Sequence, residues 1–315
     1  MGHSLPILGV PGVLGGGPKT LIVTTFTQTI GPDELLTNGN FSAWTGDNPD
    51  GWAVVGETGA TLEVTERDPA QLHADTVSTG GAVNLYNSSS AAWLPAINQS
   101  ALTVGNYYEA RAEVTARASG TASIEDGLGK MVQTRASTGI ICALGRATHA
   151  ALYVRLASGQ TTDLTYDWAS AKQITLNEQQ VAPSANMTLD AFYTLPASPA
   201  SGTRLWLLAR ISDFSAGNYW VAELIYTGAQ WNVTLFSVAT HTRTSRITAA
   251  NVGSTDGVRI VMNGDSVSLY TTANTGALWT QRGSTITNDT YLTATGINVL
   301  YSSDVTPVEL ICALP

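Results

Sequence analysis

Apolar and polar residues alternate with a period of two at several places along this chain. Tyr108, Ala110, Ala112, Val114 and Ala116 interleave with Glu109, Arg111, Glu113, Thr115 and Arg117. Side chains two residues apart share one face of a strand, so this pattern predicts a strand with one face buried. Glu113 and Arg117 have the i,i+4 spacing of a helix, and Ala favours helices. Unbroken alternation up to Ser119-Gly120 outweighs both. Ala151–Leu156, ending at the Ser158-Gly159 turn, and Leu164–Trp168 are predicted as a second pair of strands forming a hairpin. Leu205–Ile211 is a short continuous apolar run, the kind that is buried on both faces. Tyr219–Tyr226 and Trp231–Phe236 flank Thr227-Gly228, and Val258–Met262 and Val267–Tyr270 flank the Asn263-Gly264-Asp265 turn, the clearest hairpin signal in the chain. Strands recurring about every ten residues between Gly and Asn turns predict an all-β chain of antiparallel sandwiches.

The first 34 residues break the pattern. Pro6, Pro11 and Gly15 to Gly17 interrupt any regular element. Ile7, Leu8, Val10, Val13, Leu14, Leu21, Ile22 and Val23 have too few apolar companions to build a core of their own. Residues 1–34 therefore read as an extended arm that docks on a neighbouring subunit or a larger assembly. Residues 35–175 read as one β domain, the polar, proline-broken stretch 176–188 as a linker, and 189–315 as a second β domain. Two domains also suit a length of 315 residues.

Charged residues make up only 12% of the chain, about half the usual share, and Ser, Thr, Asn and Gly carry the polarity instead. That mixture fits strands and turns better than exposed helices. A net charge of −9 without a Lys/Arg run argues against nucleic acid as a partner. No stretch approaches the roughly 18 apolar residues that span a bilayer, and the N-terminus has no readable export signal. A membrane is therefore not expected as a partner. Cys142 and Cys312 are each flanked by apolar residues and read as separate buried thiols.

Leu35-Leu36-Thr37-Asn38-Gly39-Asn40-Phe41 with Trp44 and Gly51-Trp52, the middle Leu102-Thr103-Val104-Gly105-Asn106-Tyr107-Tyr108, and Leu164-Thr165-Tyr166-Asp167-Trp168-Ala169-Ser170 read as the opening, middle and closing parts of one jelly roll. On these residues the first domain resembles the carbohydrate-binding-module-like, galactose-binding-like jelly rolls of glycosidases and bacteriophage structural proteins. On the 258–270 hairpin and its Val-Ser-Leu-Tyr return strand, the second resembles a concanavalin A-like, laminin-G-type sandwich. An apolar arm followed by lectin-like β domains resembles a head or tail component of a tailed phage. The resemblance implies a virion location, other capsid or tail proteins as partners, homo-oligomers such as trimers, and surface glycans as ligands. A free carbohydrate-binding protein or adhesin, or binding modules detached from a glycosidase, is the alternative that it leaves open.

Candidate chemistry is sparse. Glycan hydrolysis needs two carboxylates about 5 to 10 Å apart across a cleft. The strand at 219–226 offers Glu223 alone, and Glu125 and Asp126 are adjacent and point to opposite faces. No nucleophile elbow surrounds His3, His73, His149 or His241. A non-enzyme is expected. Aromatic rings beside amides suit sugars, which makes Trp93, Tyr86, Asn87, Trp220 and Trp279 candidate glycan-binding residues. No cofactor is expected beyond a structural Ca²⁺ of the kind that jelly rolls of this type hold between first and last strands, with Glu34, Asn38 and Asp167 as candidate ligands.

Overall fold

The computed structural model describes residues 20–23, 28–59, 61–75, 80–89, 94–127, 131–157, 161–175, 180–273, 276–288 and 290–314. These residues are all β, in antiparallel sheets that form two sandwiches. Among them no helix is long and apolar enough to cross a membrane.

The first sandwich has an outer sheet of five strands, ordered Val132–Arg135, Ala122–Glu125, Ala151–Leu156, Ala96–Ser100, Ala53–Val55. Its inner sheet runs Gly139–Arg146, Tyr107–Ser119, Thr162–Thr175, Ala82–Asn87, Leu62–Arg67, with Thr29–Ile30 added beside Thr162–Thr175. The alternation at 108–117 lies in Tyr107–Ser119, a 13-residue strand of this sheet. Tyr108, Ala110, Ala112 and Val114 face a core shared with Ile97, Ile124, Leu152 and Val154 of the outer sheet.

The second sandwich has an inner sheet ordered Gln180–Val181, Gly296–Tyr301, Arg204–Asp213, Asn218–Tyr226, Trp231–Ala239, Thr242–Ala249. Its outer sheet runs Thr20–Val23, Thr306–Ala313, Met187–Thr194, Gly257–Asn263, Ser266–Thr272, Thr280–Gln281, with Ile286–Thr287 also on Ser266–Thr272. Leu205, Leu207, Trp220, Ala222 and Leu224 pack against Leu189, Ile260 and Leu269 between these two sheets.

The two inner sheets then pack on each other. Tyr107, Leu144 and Ile174 from the first sandwich form a third core with Trp206, Leu208, Tyr219, Val221, Val238 and Leu300 from the second. Leu205–Ala209 carries no polar alternation because Leu205, Leu207 and Ala209 fill one core and Trp206 and Leu208 the other. The contact also closes a sheet edge. Cys142 N–H donates to the Ser201 carbonyl (2.7 Å) and Ser201 N–H donates to the Ile140 carbonyl (2.9 Å), so the second sandwich pairs with the edge strand Gly139–Arg146. Gly202 lies in the left-handed region (φ 92°), and a Cβ there would collide with the Cys142 carbonyl oxygen.

Four expectations change. Leu21, Ile22 and Val23 were expected to dock on a foreign surface; they instead extend the outer sheet of this chain, opposite Cys312, Ile311 and Leu310. Without them the Thr306–Ala313 strand would be an open edge, and an apolar strand in the same chain closes it. Gln28 continues the attachment, exchanging two hydrogen bonds with the Tyr301 backbone (2.6 and 2.8 Å). Ile7, Leu8, Val10, Val13 and Leu14 lie outside the described residues. The stretch 35–43 is a loop rather than an opening strand; it lies beside the closing strand through single bonds, Leu35 N–H to the Ala171 carbonyl and Ala169 N–H to the Gly39 carbonyl. Ala151–Leu156 and Thr162–Thr175 sit in different sheets instead of a hairpin. In place of a linker, residues 180–188 hold the Gln180–Val181 strand and the start of Met187–Thr194.

Both thiols are buried and free, Cys312 between the sheets of the second sandwich and Cys142 at the contact between sandwiches. Burial pushes Cys142 well above the usual thiol range, and pushes Cys312, with Asp190 nearby, up to about 11. Neither should react with a disulfide reagent in the folded protein at about pH 8, and both should react once denaturant unfolds it. Rapid labelling of Cys142 in the native protein would show that the inner sheets are not packed together.

Candidate binding surfaces

The face of the first inner sheet that does not meet its own core carries Arg67, Asn84, Tyr86, Asp163 and Thr165. These are the side chains that could meet sugar hydroxyls, and the chain's own 68–75 loop engages them. Asp163 accepts His73 N–H at 3.2 Å and the Asn84 amide at 2.8 Å, and Thr165 donates to the Gln71 carbonyl at 2.5 Å. Arg67 donates to the carbonyls of His73 and Asp75. Tyr86 stacks on the His73 ring, with centroids 3.8 Å apart and planes 8° from parallel, and His73 contacts Glu63 at 2.7 Å. One face of Tyr86 is therefore occupied. Asn87 is buried and donates to the Leu94 carbonyl, bracing the segment that leads to residues 90–93. Trp93 lies outside the described residues.

In the second sandwich the two candidate tryptophans separate. Trp220 is fully buried between the sheets, its indole N–H donating to the Thr290 carbonyl. It is a core residue, because the alternation of Asn218–Tyr226 turns it inward, and it cannot meet a ligand. Trp279 is half-buried on the outside, tilted against Phe192 at 5.8 Å, with the Arg259 guanidinium 4.1 Å from its ring centroid. Arg259 is held by both carboxylate oxygens of Asp190, each at 2.6 Å. The Asp190 and Arg259 backbones are direct partners across adjacent strands. A bidentate pair of this kind fixes the guanidinium plane, which in turn fixes the indole. This platform of two rings, a cation and a carboxylate is the best exposed place for a sugar among the residues picked out by sequence. Asp190, Phe192 and Arg259 were missed. Their outward positions follow from period two, but their coming together depends on register, which no local pattern encodes.

Of the candidate metal ligands, Glu34 and Asn38 are occupied by groups of the chain itself. Glu34 accepts the N–H groups of Leu36 and Ala171 (3.0 and 2.7 Å) and the Ser170 hydroxyl (2.6 Å). Asn38 has φ 52° and ties Ala43 and Asp50 into the 38–50 loop. Asp167 lies near Glu113, and burial, followed by that like charge, raises its pKa. Among the described residues no three His, Cys, Asp or Glu side chains are grouped to hold a metal ion.

Three further buried carboxylates, Glu125, Glu109 and Glu223, are paired with arginines, whereas buried Asp126 accepts from Met131 N–H and from the Thr148 N–H and hydroxyl. Glu125 pairs with Arg155, and Arg111 bridges Glu109 (3.1 Å) and Asp304 (2.9 Å) across the contact between sandwiches. Glu109 also accepts Ser303 N–H at 2.9 Å. Glu223 accepts the Trp206 indole N–H (2.5 Å) and Arg243 (3.0 Å), with Arg204 at 3.6 Å. Burial would raise the Glu223 pKa, but Arg243, Arg204 and the Trp206 hydrogen bond outweigh it and hold the carboxyl below its usual range. A carboxylate held ionised by two arginines is a poor proton donor and is screened from attack on a substrate. Its visible role is to neutralise cations between the sheets.

No family model matches the chain, and no curated protein does. Two solved structures are similar to parts of it. One is the GH43 BlXynB protein of Bacillus licheniformis, at 12% identity and a TM-score of 0.30, covering 44% of this chain and 28% of that one. The other is a mutant of the same protein, at 9% identity and a TM-score of 0.33, covering 82% of this chain and 66% of that one. The chain thus spans 28% and 66% of the lengths it matches, and likeness at this level carries no argument about fold or chemistry.

Two measurements check these placements. Trp220→Ala should cost about 3–5 kcal/mol in chemical denaturation, whereas Trp279→Ala should cost under about 1 kcal/mol; equal costs would contradict the assignment of core and surface. A depressed carboxylate stabilises above its unfolded pKa and loses that contribution as pH falls through the folded value. Wild-type stability should therefore drop more steeply than that of Glu223→Gln between about pH 5 and pH 3, and parallel profiles would remove Glu223 from the account.

Proposed function

We propose that the chain is a non-enzymatic structural component of a virion, a decoration, head-fibre or tail protein, in which the two sandwiches act as one rigid block. The observation that supports this most directly is the contact between inner sheets, which joins the sandwiches through an apolar core and a buried ion network. A catalytic two-domain protein gains from a hinge between its domains, whereas a display element gains from a fixed geometry. Engagement of the buried carboxylates by the chain's own arginines, hydroxyls and amide groups supports the non-enzymatic reading. The N-terminal arm attaches to other capsid or tail proteins through residues 1–19, since Thr20–Val23, Gln28, Thr29–Ile30, Gly31 and Glu34 are engaged with the chain itself. Self-association as a homo-oligomer, such as a trimer, multiplies weak contacts.

A second reading, a free glycan-binding protein or adhesin, is favoured by the Asp190–Arg259–Trp279–Phe192 platform. The two readings are compatible if the platform faces outward from a particle.

Removing residues 1–19 while keeping the Thr20–Val23 strand tests the proposal. The truncated chain should keep the wild-type unfolding temperature and fail to enter particles when co-expressed with the other virion proteins. Normal incorporation would refute anchoring by the arm.

A further inference from the structure

Where the ends of the two inner sheets meet they leave a cleft of ≈ 500 Å³, lined by Tyr107 and Arg146 from the first sandwich and Trp206, Tyr219, His241 and Arg243 from the second. A neighbouring hollow of ≈ 490 Å³ shares Tyr107 and Arg146 with it. Neither lining contains an Asp or Glu, in a chain whose net charge is −9. Arg146 commits its Nε to the Gly105 carbonyl (2.9 Å) and brings the rest of its guanidinium to the cleft. Arg243 lies over the Trp206 ring at 4.1 Å and shares the single Glu223 carboxylate with Arg204, so this trio retains an excess of positive charge.

Tyr107 and Tyr219, both buried, bring their hydroxyls together at this cleft. A further observation there is strain. The hairpin between Trp231–Ala239 and Thr242–Ala249 turns through Thr240 and His241, both with positive φ (50° and 62°). A two-residue turn of this kind is unstrained with Asn-Gly and disfavoured with a β-branched residue. The strained turn sets Thr240 and His241 against the cleft, with His241 Nε2 3.0 Å from the Ser215 carbonyl. Backbone strain held at the rim of a cleft is characteristic of functional positions.

We propose that this cleft binds an oxyanion carried on a sugar-sized polyhydroxyl body, the anion between Arg146 and Arg243 and the hydroxyls against Tyr107, Tyr219 and His241. Guanidinium groups provide charge-assisted hydrogen bonds to carboxylate or phosphate, and tyrosine hydroxyls can donate or accept. The cleft exceeds what a bare ion fills, and the Trp206 face is already covered by Arg243, so recognition is polar rather than by stacking. A sugar acid and a sugar phosphate share this chemistry.

Titration of the full chain, followed by calorimetry and Trp fluorescence at constant ionic strength, with glucuronate, glucose 6-phosphate, glucose and inorganic phosphate tests the proposal. Saturable binding of glucuronate or glucose 6-phosphate, with glucose much weaker, supports it, and the tighter of the two identifies the anion. Arg146→Met should weaken that binding about tenfold or more while leaving the unfolding temperature near wild type. Replacing the turn by Asn-Gly, Thr240→Asn with His241→Gly, should raise the unfolding temperature and weaken binding together, a combination that a purely structural turn would not give. The proposal is overturned if no sugar anion binds, if glucose binds equally, if Arg146→Met binds as wild type does, or if inorganic phosphate binds as tightly as the sugar ligands, which would mark an adventitious ion only.

Discussion

Where the inner sheets of the two sandwiches meet, they are buried on both faces, and this constraint shapes most of the rest. A strand in such a sheet must supply apolar side chains in both registers or give every polar one a partner. Leu205–Ile211 does the first: Leu205 and Leu207 face one core, Trp206 and Leu208 another. Tyr107–Ser119 does the second, with Glu109 and Arg111 facing the contact between sandwiches and satisfied by Asp304 and Ser303 from the other side. Separating the sandwiches would break the Arg111–Asp304 pair and the hydrogen bond from Ser303 to Glu109, and would expose the apolar core that the two share. The join is therefore stiff, and the chain behaves as four stacked sheets rather than two modules on a tether.

Where a feature depends on local pattern, the sequence announces it. The alternation at 108–117 is a strand, the Asn263-Gly264-Asp265 hairpin turns where expected, and both cysteines are buried. What depends on long-range register was not legible. The pairing of Leu21 to Val23 with the last strand joins residues nearly a whole chain apart, and nothing in either segment specifies the other. The same limit applied to function. Trp220 and Trp279 look alike as aromatic residues beside polar ones, yet strand phase places one in the core and the other outside. The cleft residues Tyr107, Arg146, His241 and Arg243 are scattered across both domains. The one local hint was Thr240-His241 occupying a turn where Asn-Gly is the unstrained choice, and it becomes visible only once the flanking strands are known to pair.

Fixing the sandwiches together also fixes the distance between their surfaces. The Trp279 platform lies on the outermost sheet of the second sandwich and the cationic cleft lies at the join, so neither can be closed by a hinge motion. Binding at either place would rely on preformed geometry, with little ordering cost. That arrangement suits a protein that presents surfaces more than one that works on a substrate through opening and closing.

The central claim, that the sandwiches form a single cooperative body, is tested most directly by differential scanning calorimetry of the intact chain. The account predicts one transition whose calorimetric and van't Hoff enthalpies agree. Two resolved transitions, or a calorimetric enthalpy about twice the van't Hoff value, would mean that the inner sheets do not hold the halves together.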